Sequence, residues 1–325
     1  MVAIEEDSRM KRLAALFPLL FAPCALAGGA GALPDVAIVA AASNTTMPET
    51  NTRFTDARDK LLATGKFNSV SIYNATRFNP DGGTPSLATL QQWDAVLVWS
   101  NDSFDDSVAM GDVLADYVDG GGGVVVAVFA NTSTNIDRFL QGRWQTGDYI
   151  AIPQNGGFVQ GPGQLGQVLI PDHPIMENVQ TFVTRWGTNA QGMIFGGYKP
   201  TNLNVTPGST IVARWNTGHS LVVLSPNARV VELGFHPVSS DVNEFAYWDA
   251  ATDGDLLMAN ALCFVAAAGE CPGDTNGDGV VNFTDLNAVL ADFGNAGDLA
   301  GDVDGDGDVD FSDLNLVLSA FGTTC

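Results

Sequence analysis

The chain has 325 residues, with 37 acidic against 14 basic side chains and a formal net charge of -23. That length accommodates one sizeable globular core and a smaller unit. The charge argues against nucleic acid as a partner, because phosphates call for a Lys- and Arg-lined surface, and against simple adhesion to anionic lipid; cations are the expected partners.

At the N-terminus, Lys11-Arg12 precede the apolar run Leu13 to Ala22 and then Ala25-Leu26-Ala27 ahead of Gly28-Gly29. This charged, apolar, small-residue order is that of a secretory signal over residues 1–27, with cleavage expected after Ala27. The preceding "MVAIEEDSR" is acidic, unlike the start of a signal, so Met10 is an alternative first residue. "FAPC" lacks the small residues that would make Cys24 a lipidation site. No later stretch reaches about 18 uninterrupted apolar residues, so no transmembrane segment is expected in the mature chain. Loss of the signal leaves Cys263, Cys271 and Cys325, an odd number for an oxidising compartment. A Cys271–Cys325 bridge would tie together the ends of the C-terminal repeat; Cys263 with Cys271 is the alternative pairing.

From Asp35 the chain reads "VAIVAAAS", a polar helical stretch around Arg53 to Ala63, "SVSIYNA", a loop and "AVLVWSND". A helix from about Ser107 to Val118, the Gly120–Gly123 turn and "VVVAVFA" follow. Near-continuous apolar strands separated by amphipathic helices predict a parallel sheet covered on both faces. Beyond Asn131, Gly and Pro become common, and "STIVARWNTG", "HSLVVLSPNA" and "RVVELGF" predict antiparallel strands joined by tight turns. Asp253 to Ala267 is expected to close this α/β region, spanning 34–267, with a helix, and Gly269 to Pro272 is the evident linker.

The segments "WDAVLVWSND", "LADYVDGGGGVVVAVFA", "DHPIM" and "DGDLLMANAL" resemble the flavodoxin-like fold of the class I glutamine amidotransferase superfamily, particularly its trehalose-utilisation-like (ThuA-like) branch. The resemblance implies an open, mostly parallel sheet with antiparallel additions and functional groups above the strands' carboxyl ends. An amidotransferase would carry a nucleophilic Cys on the turn after a strand. Here "VVVAVFA" runs into Asn131-Thr132, and no cysteine occurs between residues 25 and 262, so that mechanism is not expected.

His173, His219 and His236 are the only histidines and have no zinc-motif spacing. His236, after "RVVELGF", is the candidate general base, near a mouth formed by Asn101, Asp102 and Asn131, although the sequence names no group to orient it. The plainer reading of His236 is a structural histidine. Asp102, Asp105 and Asp106 follow "LVWS" and could bind a polyol or metal, or form a solvated loop with a helix N-cap. Trp99, Trp186, Trp215 and Trp248 offer sugar-stacking faces, with core burial as the default.

Residues 271–325 contain eleven Asp and no Glu, Lys or Arg. Within them "GDTNGDGVVNFTDLN" from Gly273 is answered 28 positions later by "GDVDGDGDVDFSDLN" from Gly301. Ca²⁺ takes six to eight oxygens, which a twelve-residue loop supplies from positions 1, 3, 5, 7, 9 and 12 around a Gly at position 6. The first loop offers Asp274, Asn276, Asp278, the Val280 carbonyl, Asn282 and Asp285 around Gly279. The second offers Asp302, Asp304, Asp306, the Asp308 carbonyl, Asp310 and Asp313 around Gly307. Two Ca²⁺ sites are expected, the second tighter because it brings five side-chain carboxylates against three. Val281 and Val309, at position 8, are placed to pair with each other. Leu286, Val289, Leu290 and Phe293, and then Leu314, Val317, Leu318 and Phe321, form helical stripes stopped by Gly294 and Gly322, and the two stripes are expected to face each other. A flexible acidic tail would explain the composition but not the repeated register.

The repeat resembles a type I dockerin, a small all-α, duplicated EF-hand-like module that anchors secreted bacterial enzymes to cohesins in polysaccharide-degrading assemblies. The resemblance implies calcium binding, a bacterial extracellular or cell-surface setting, and a cohesin-like or cell-surface protein partner. Cohesin contact would fall to Phe283-Thr284 and Phe311-Ser312 and the helices after them, which carry no Lys or Arg. Phe283 and Phe311 read as ring packing within the unit, with partner anchoring as the alternative. For the α/β region the sequence favours a binding or scaffold role; it does not itself show a ligand, and a carbohydrate is the candidate. The competing reading is a carbohydrate-active hydrolase or isomerase using carboxylates or His236.

Overall fold

The computed structural model describes residues 33–77, 83–227, 229–242, 247–267, 273–276, 280–297, 299–304 and 306–322. The expected signal over 1–27, Asp278, Gly279 and the Cys271–Cys325 pair lie outside these residues. Cys263 is disulfide-bonded.

The apolar runs form the strands β1 (Asp35–Ala41), β2 (Ser69–Asn74), β3 (Ala95–Ser100) and β4 (Gly123–Ala127). Short pieces follow: β5 (Phe158–Val159), β6 (Leu165–Val168), β7 (Trp186–Thr188), β8 (Ile194–Gly196) and β9 (Lys199–Pro200). The last strands are β10 (Thr210–Trp215), β11 (Ser220–Leu224) and β12 (Val230–Leu233). Eight of them make one sheet in the order β2-β1-β3-β4-β12-β11-β10-β6. The first five are mutually parallel, and β11, β10 and β6 extend the sheet antiparallel. A parallel run ordered second, first, third, fourth, fifth is the flavodoxin-like doubly wound arrangement. The sequence grouped "RVVELGF" with the antiparallel hairpins. It is antiparallel to β11, but β12 is also the fifth parallel strand, paired with β4 from Val230–Val124 to Leu233–Ala127.

The helices are α1 (Thr52–Ala63), α2 (Leu87–Leu90), α3 (Ser107–Asp119), α4 (Gly254–Ala267), α5 (Phe283–Asp292) and α6 (Phe311–Ala320). The stretch around α2 was expected as loop throughout. Alternation along the strands divides the core. Val36, Ile38 and Ala40 of β1 pack with Phe54 and Leu61 of α1 and Leu257 and Leu262 of α4; Ala37 and Val39 pack with Met110 and Leu114 of α3. Both faces being covered explains why β1, β3 and β4 are apolar almost without interruption. Asn51 caps α1 by accepting from the Arg53 N–H, and Asp106 caps α3 by accepting from Val108 and Ala109. Asp106 is thus the N-cap that the blander sequence reading anticipated. Gly234, which leads from β12 toward His236, has no room for a side chain, because a Cβ there would lie 1.9 Å from the Ser220 carbonyl oxygen.

The repeat packs around Val281, Val289, Val309 and Val317, a cluster separate from the two flanking the sheet. Each half is built alike. Asn282 and Asp310 cap α5 and α6 through full capping boxes with Asp285 and Asp313. Gly294 and Gly322 follow the helices with φ of +82° and +87°. Two expectations are corrected. First, Val281 and Val309 do not pair with each other: the Val309 carbonyl accepts from Gly294 and its N–H donates to Asn295, while the Val281 carbonyl accepts from Gly322. Each loop is therefore tied to the segment beyond the opposite helix. Second, only half of each stripe is buried. Val289 and Val317 are enclosed, whereas Leu290, Phe293, Leu318 and Phe321 are exposed. Phe283 packs edge to face on Phe321 and Phe311 on Phe293, at 4.9 and 5.1 Å, yet both leading rings remain 68% exposed.

Candidate functional site

In a doubly wound sheet the groups that can meet a ligand lie beyond the carboxyl ends of the strands, at the point where strand order reverses. Here that point lies between β1 and β3. A polar cavity of about 280 Å³ opens there, lined by Asn44 after β1, Thr76 and Arg77 after β2, Asp102 to Asp105 after β3, and Asp137. Asp102 is turned toward the β1 loop, its Oδ2 accepting from the Asn44 N–H at 2.9 Å.

His236 stands beyond the end of β12, 1% exposed. Its ring stacks on Tyr247, with centroids 3.7 Å apart and planes at 18°, and lies 5.6 Å from the ring of Phe129. Nδ1 accepts from the Val238 N–H at 3.3 Å, so the neutral ring carries its proton on Nε2. Nε2 is buried and faces the Ser100 backbone without a well-aligned hydrogen-bond partner among the described residues. Burial first, and then the positive charge of Arg53, holds the His236 pKa well below the ordinary histidine range, while the Ser100 backbone acts in the opposite direction. The ring is therefore neutral throughout the physiological range. The orienting group that the sequence left unnamed is a backbone amide, with Tyr247 as a stacking wall. No carboxylate among the described residues hydrogen-bonds the ring. That geometry suits a fixed N–H donor better than a general base.

Tyr247 links this ring to its neighbours. Its hydroxyl donates to Asn101 Oδ1 at 3.2 Å and receives a long contact of 3.5 Å from Arg53 Nη1. Asn101 and His236 thus belong to one cluster through Tyr247, whereas Asp102 lines the acidic cavity. Asn131 points elsewhere: its Nδ2 donates to the Leu233 carbonyl, and its Oδ1 has no donor in the geometry observed. Glu232 lies against it, fully buried, with Oε1 accepting from Ala151 N–H and Oε2 unpartnered. Burial pushes Glu232 up to about 8 although the amides of Ala151, Ile152 and Asn131 favour its ionised form, so at neutral pH it is mostly a carboxylic acid.

The other candidates separate. His173 caps a short helical turn through Ile175 and packs on Phe264; His219 contacts the Thr217 hydroxyl. Trp99, Trp215 and Trp248 are buried in the core, and Trp186 is exposed on β7.

No family model and no curated protein matches the chain. Among solved structures, one described as a ThuA-like protein from Bacteroides uniformis shares 15% identity at a TM-score of 0.45, over 73% of this chain and 93% of that one. Another, described as a GMP synthase protein from Thermoplasma acidophilum, shares 10% identity at a TM-score of 0.40, over 72% of this chain and 95% of that one. The flavodoxin-like assignment rests on the strand order itself.

In the acidic repeat, oxygens of Asp302, Asp304 and Asp306 lie within 4.8 Å of one another. Gly307, at φ +94°, turns the loop so that its N–H donates to Asp302 Oδ2. Burial, and then repulsion by neighbouring carboxylates, raises Asp304 despite a hydrogen bond from Asp306; repulsion from Asp306 is the main cause at Asp308. The position-12 residues are already engaged within their own loops. Asp313 accepts from the N–H groups of Val303, Asp304 and Asp310, and Asp285 from Thr275 N–H, the Thr275 hydroxyl and Asn282 N–H. Asp310 and Asn282 are likewise engaged as N-caps, accepting from Ser312 and Thr284. Of the first loop's candidates, Asp274, Asn276 and Val280 are among the described residues and Asp278 is not.

The residues that sequence reasoning missed are Arg53, Arg138, Tyr198 and Tyr247. Arg53 lies in the first turn of α1 and Arg138 in a short helical turn well after β4, so neither stands close enough to a strand end in sequence to be singled out. Tyr198 and Tyr247 lie in irregular segments that likewise carry no signal.

Proposed function

We propose that this chain is a secreted, calcium-binding protein in which a dockerin-like C-terminal unit attaches the α/β region to an extracellular, polysaccharide-related assembly. The α/β region then serves as a binding or scaffold module with a carbohydrate ligand. The observation that carries the calcium reading is the convergence of Asp302, Asp304 and Asp306, where burial and then the neighbouring carboxylates raise the pKa of Asp304. Three hard oxygen donors around a Gly turn, without a cationic side chain anywhere in residues 271–325, fit a divalent cation. Asp302, Asp304, Asp306 and the Asp308 carbonyl would hold it, with the remaining lone pair of Asp313 Oδ2 completing the set. The ion would supply the charge that lets the loop close, coupling metal uptake to folding. The first loop would bind through Asp274, Asn276, Asp278 and the Val280 carbonyl with fewer carboxylates.

The lack of a cysteine nucleophile and the neutral, donor-type His236 favour a binding role over hydrolysis in the α/β region. Calorimetric titration of the full chain with Ca²⁺ tests the proposal. Two sites are expected, the tighter one lost in Asp306→Ala; absence of any calcium uptake would refute it. A pull-down from the native secretome with and without chelator tests the attachment, for which a calcium-dependent partner is expected.

A further inference from the structure

A chain with a large excess of acid should leave few cations without an acceptor. Elsewhere among the described residues they are held: Arg58 by Glu49 and Asp59, Lys60 by Asp241, and Arg143 by Asp116 and Asp119. Lys199 and Arg229 are held by backbone carbonyls. Arg53 and Arg138 differ. Among the described residues Arg53 reaches only the Tyr247 hydroxyl, at 3.5 Å, and Arg138 Nε is buried without a partner. Both guanidinium groups act electrostatically on His236 and on Tyr247, so they share one neighbourhood at the head of the sheet.

The same place holds two more donors without a well-aligned acceptor among the described residues, His236 Nε2–H and Trp99 Nε1–H, both in buried side chains whose rings meet edge-on at 6.4 Å. Leaving a buried donor unpaired is costly, and neighbouring ones that lack a well-aligned acceptor point to a group that supplies one. Beside them Phe129, Phe158 and Tyr198 pack at 4.9, 4.9 and 5.2 Å, with Phe158 and Tyr198 half-buried and able to meet a ring.

We propose that the head of the sheet binds an acidic or phosphorylated sugar, its oxyanion held between Arg53, Arg138 and the Nε2–H of His236. Guanidinium groups match carboxylate and phosphate oxygens in geometry as well as charge. The neutral histidine adds a directed donor without a titrating charge. This inference rests on the carbohydrate-binding reading of the α/β region and is independent of the calcium loops.

Binding of glucuronate, glucose 6-phosphate and glucose to the full chain by calorimetry, with product analysis of the same samples, tests it. Saturable uptake of at least one acid is expected, with glucose at least about tenfold weaker, and the tighter acid identifies carboxylate or phosphate as the source. Arg53→Gln and Arg138→Gln should each weaken that uptake at least about tenfold while leaving the thermal melt unchanged. Arg138→Lys, which keeps the charge, provides a second variant should Arg138→Gln not fold. Uptake of neither acid, uptake indifferent to both arginine substitutions in folded protein, or glucose bound as tightly as the acids would overturn the anion site; the last would leave the carbohydrate reading standing. Conversion of a bound acid to product would overturn the binding-module reading but support the site.

Discussion

The two cores of this molecule reach stability by different routes. Around the sheet, β1, β3 and β4 are buried along almost their whole length and apolar clusters cover both faces. In the repeat, four valines are fully enclosed and half of each helical stripe faces water. Where apolar area is scarce, polar anchoring takes over: Asp285 and Asp313 are buried and each gathers three donors from its own loop. The price is repulsion, since the carboxylates that remain lie in a segment without Lys or Arg. The first core should therefore be indifferent to metal and the second governed by it.

The largest expected effect lies in the first core. Leu97→Ala, in the middle of β3, should cost about 2–5 kcal/mol in denaturant unfolding, equally with calcium and with chelator. A cost that depended on calcium would break the comparison.

A comparable effect of opposite sign is expected at Glu232. Its folded pKa, about 8, is raised above the ordinary 4.5, so its contribution to stability is fully present below pH 4.5 and is lost as pH rises toward 8. Glu232→Gln should therefore stabilise the fold by on the order of 3 kcal/mol at pH 7 and very little at pH 4, measured by unfolding at both values.

In the repeat, Asp313→Ala leaves three N–H groups without their acceptor and should cost about 1–3 kcal/mol, seen as faster proteolysis at α6. Asp285 contributes with a definite sign. Burial pushes its pKa up, but hydrogen bonds from Asn282 and Thr275 outweigh this and leave it below 3.8. Its stabilisation is present above that value and lost as pH falls through the lower folded one, so acid should loosen the first loop in wild type more than in Asp285→Asn.

The smallest effect belongs to the exposed rings. Phe283→Ala and Phe311→Ala should each change stability by less than about 1 kcal/mol, because each ring makes one edge-to-face contact and stays mostly in water. A larger loss would mean that the rings bear more of the packing than the valines suggest.

Much of this contrast was legible in the residues. The continuous apolar runs of β1, β3 and β4 announce strands buried on both faces, and the identical spacing of Asp, Gly and Val in the two repeats announces paired turn-helix units. The role of β12 was hidden because its parallel partner β4 lies about a hundred residues earlier, whereas its antiparallel neighbour β11 is adjacent. The valine pairing was misjudged because a loop repeat suggests symmetry between the loops. The chain realises its symmetry instead by crossing each loop to the far end of the other helix. At the sheet head, His236 was visible as a lone histidine beyond a strand. Its surroundings were not, because Arg53, Arg138 and Tyr247 arrive from three distant segments whose meeting only the fold creates.

The most direct test of the metal-governed core is amide hydrogen exchange on the full chain, read in α5 and α6 and in β1, β3 and β4, with calcium and with EDTA. Chelation should reduce protection in both helices by about a hundredfold or more while the strands stay unchanged. Helices equally protected in both conditions would contradict the account.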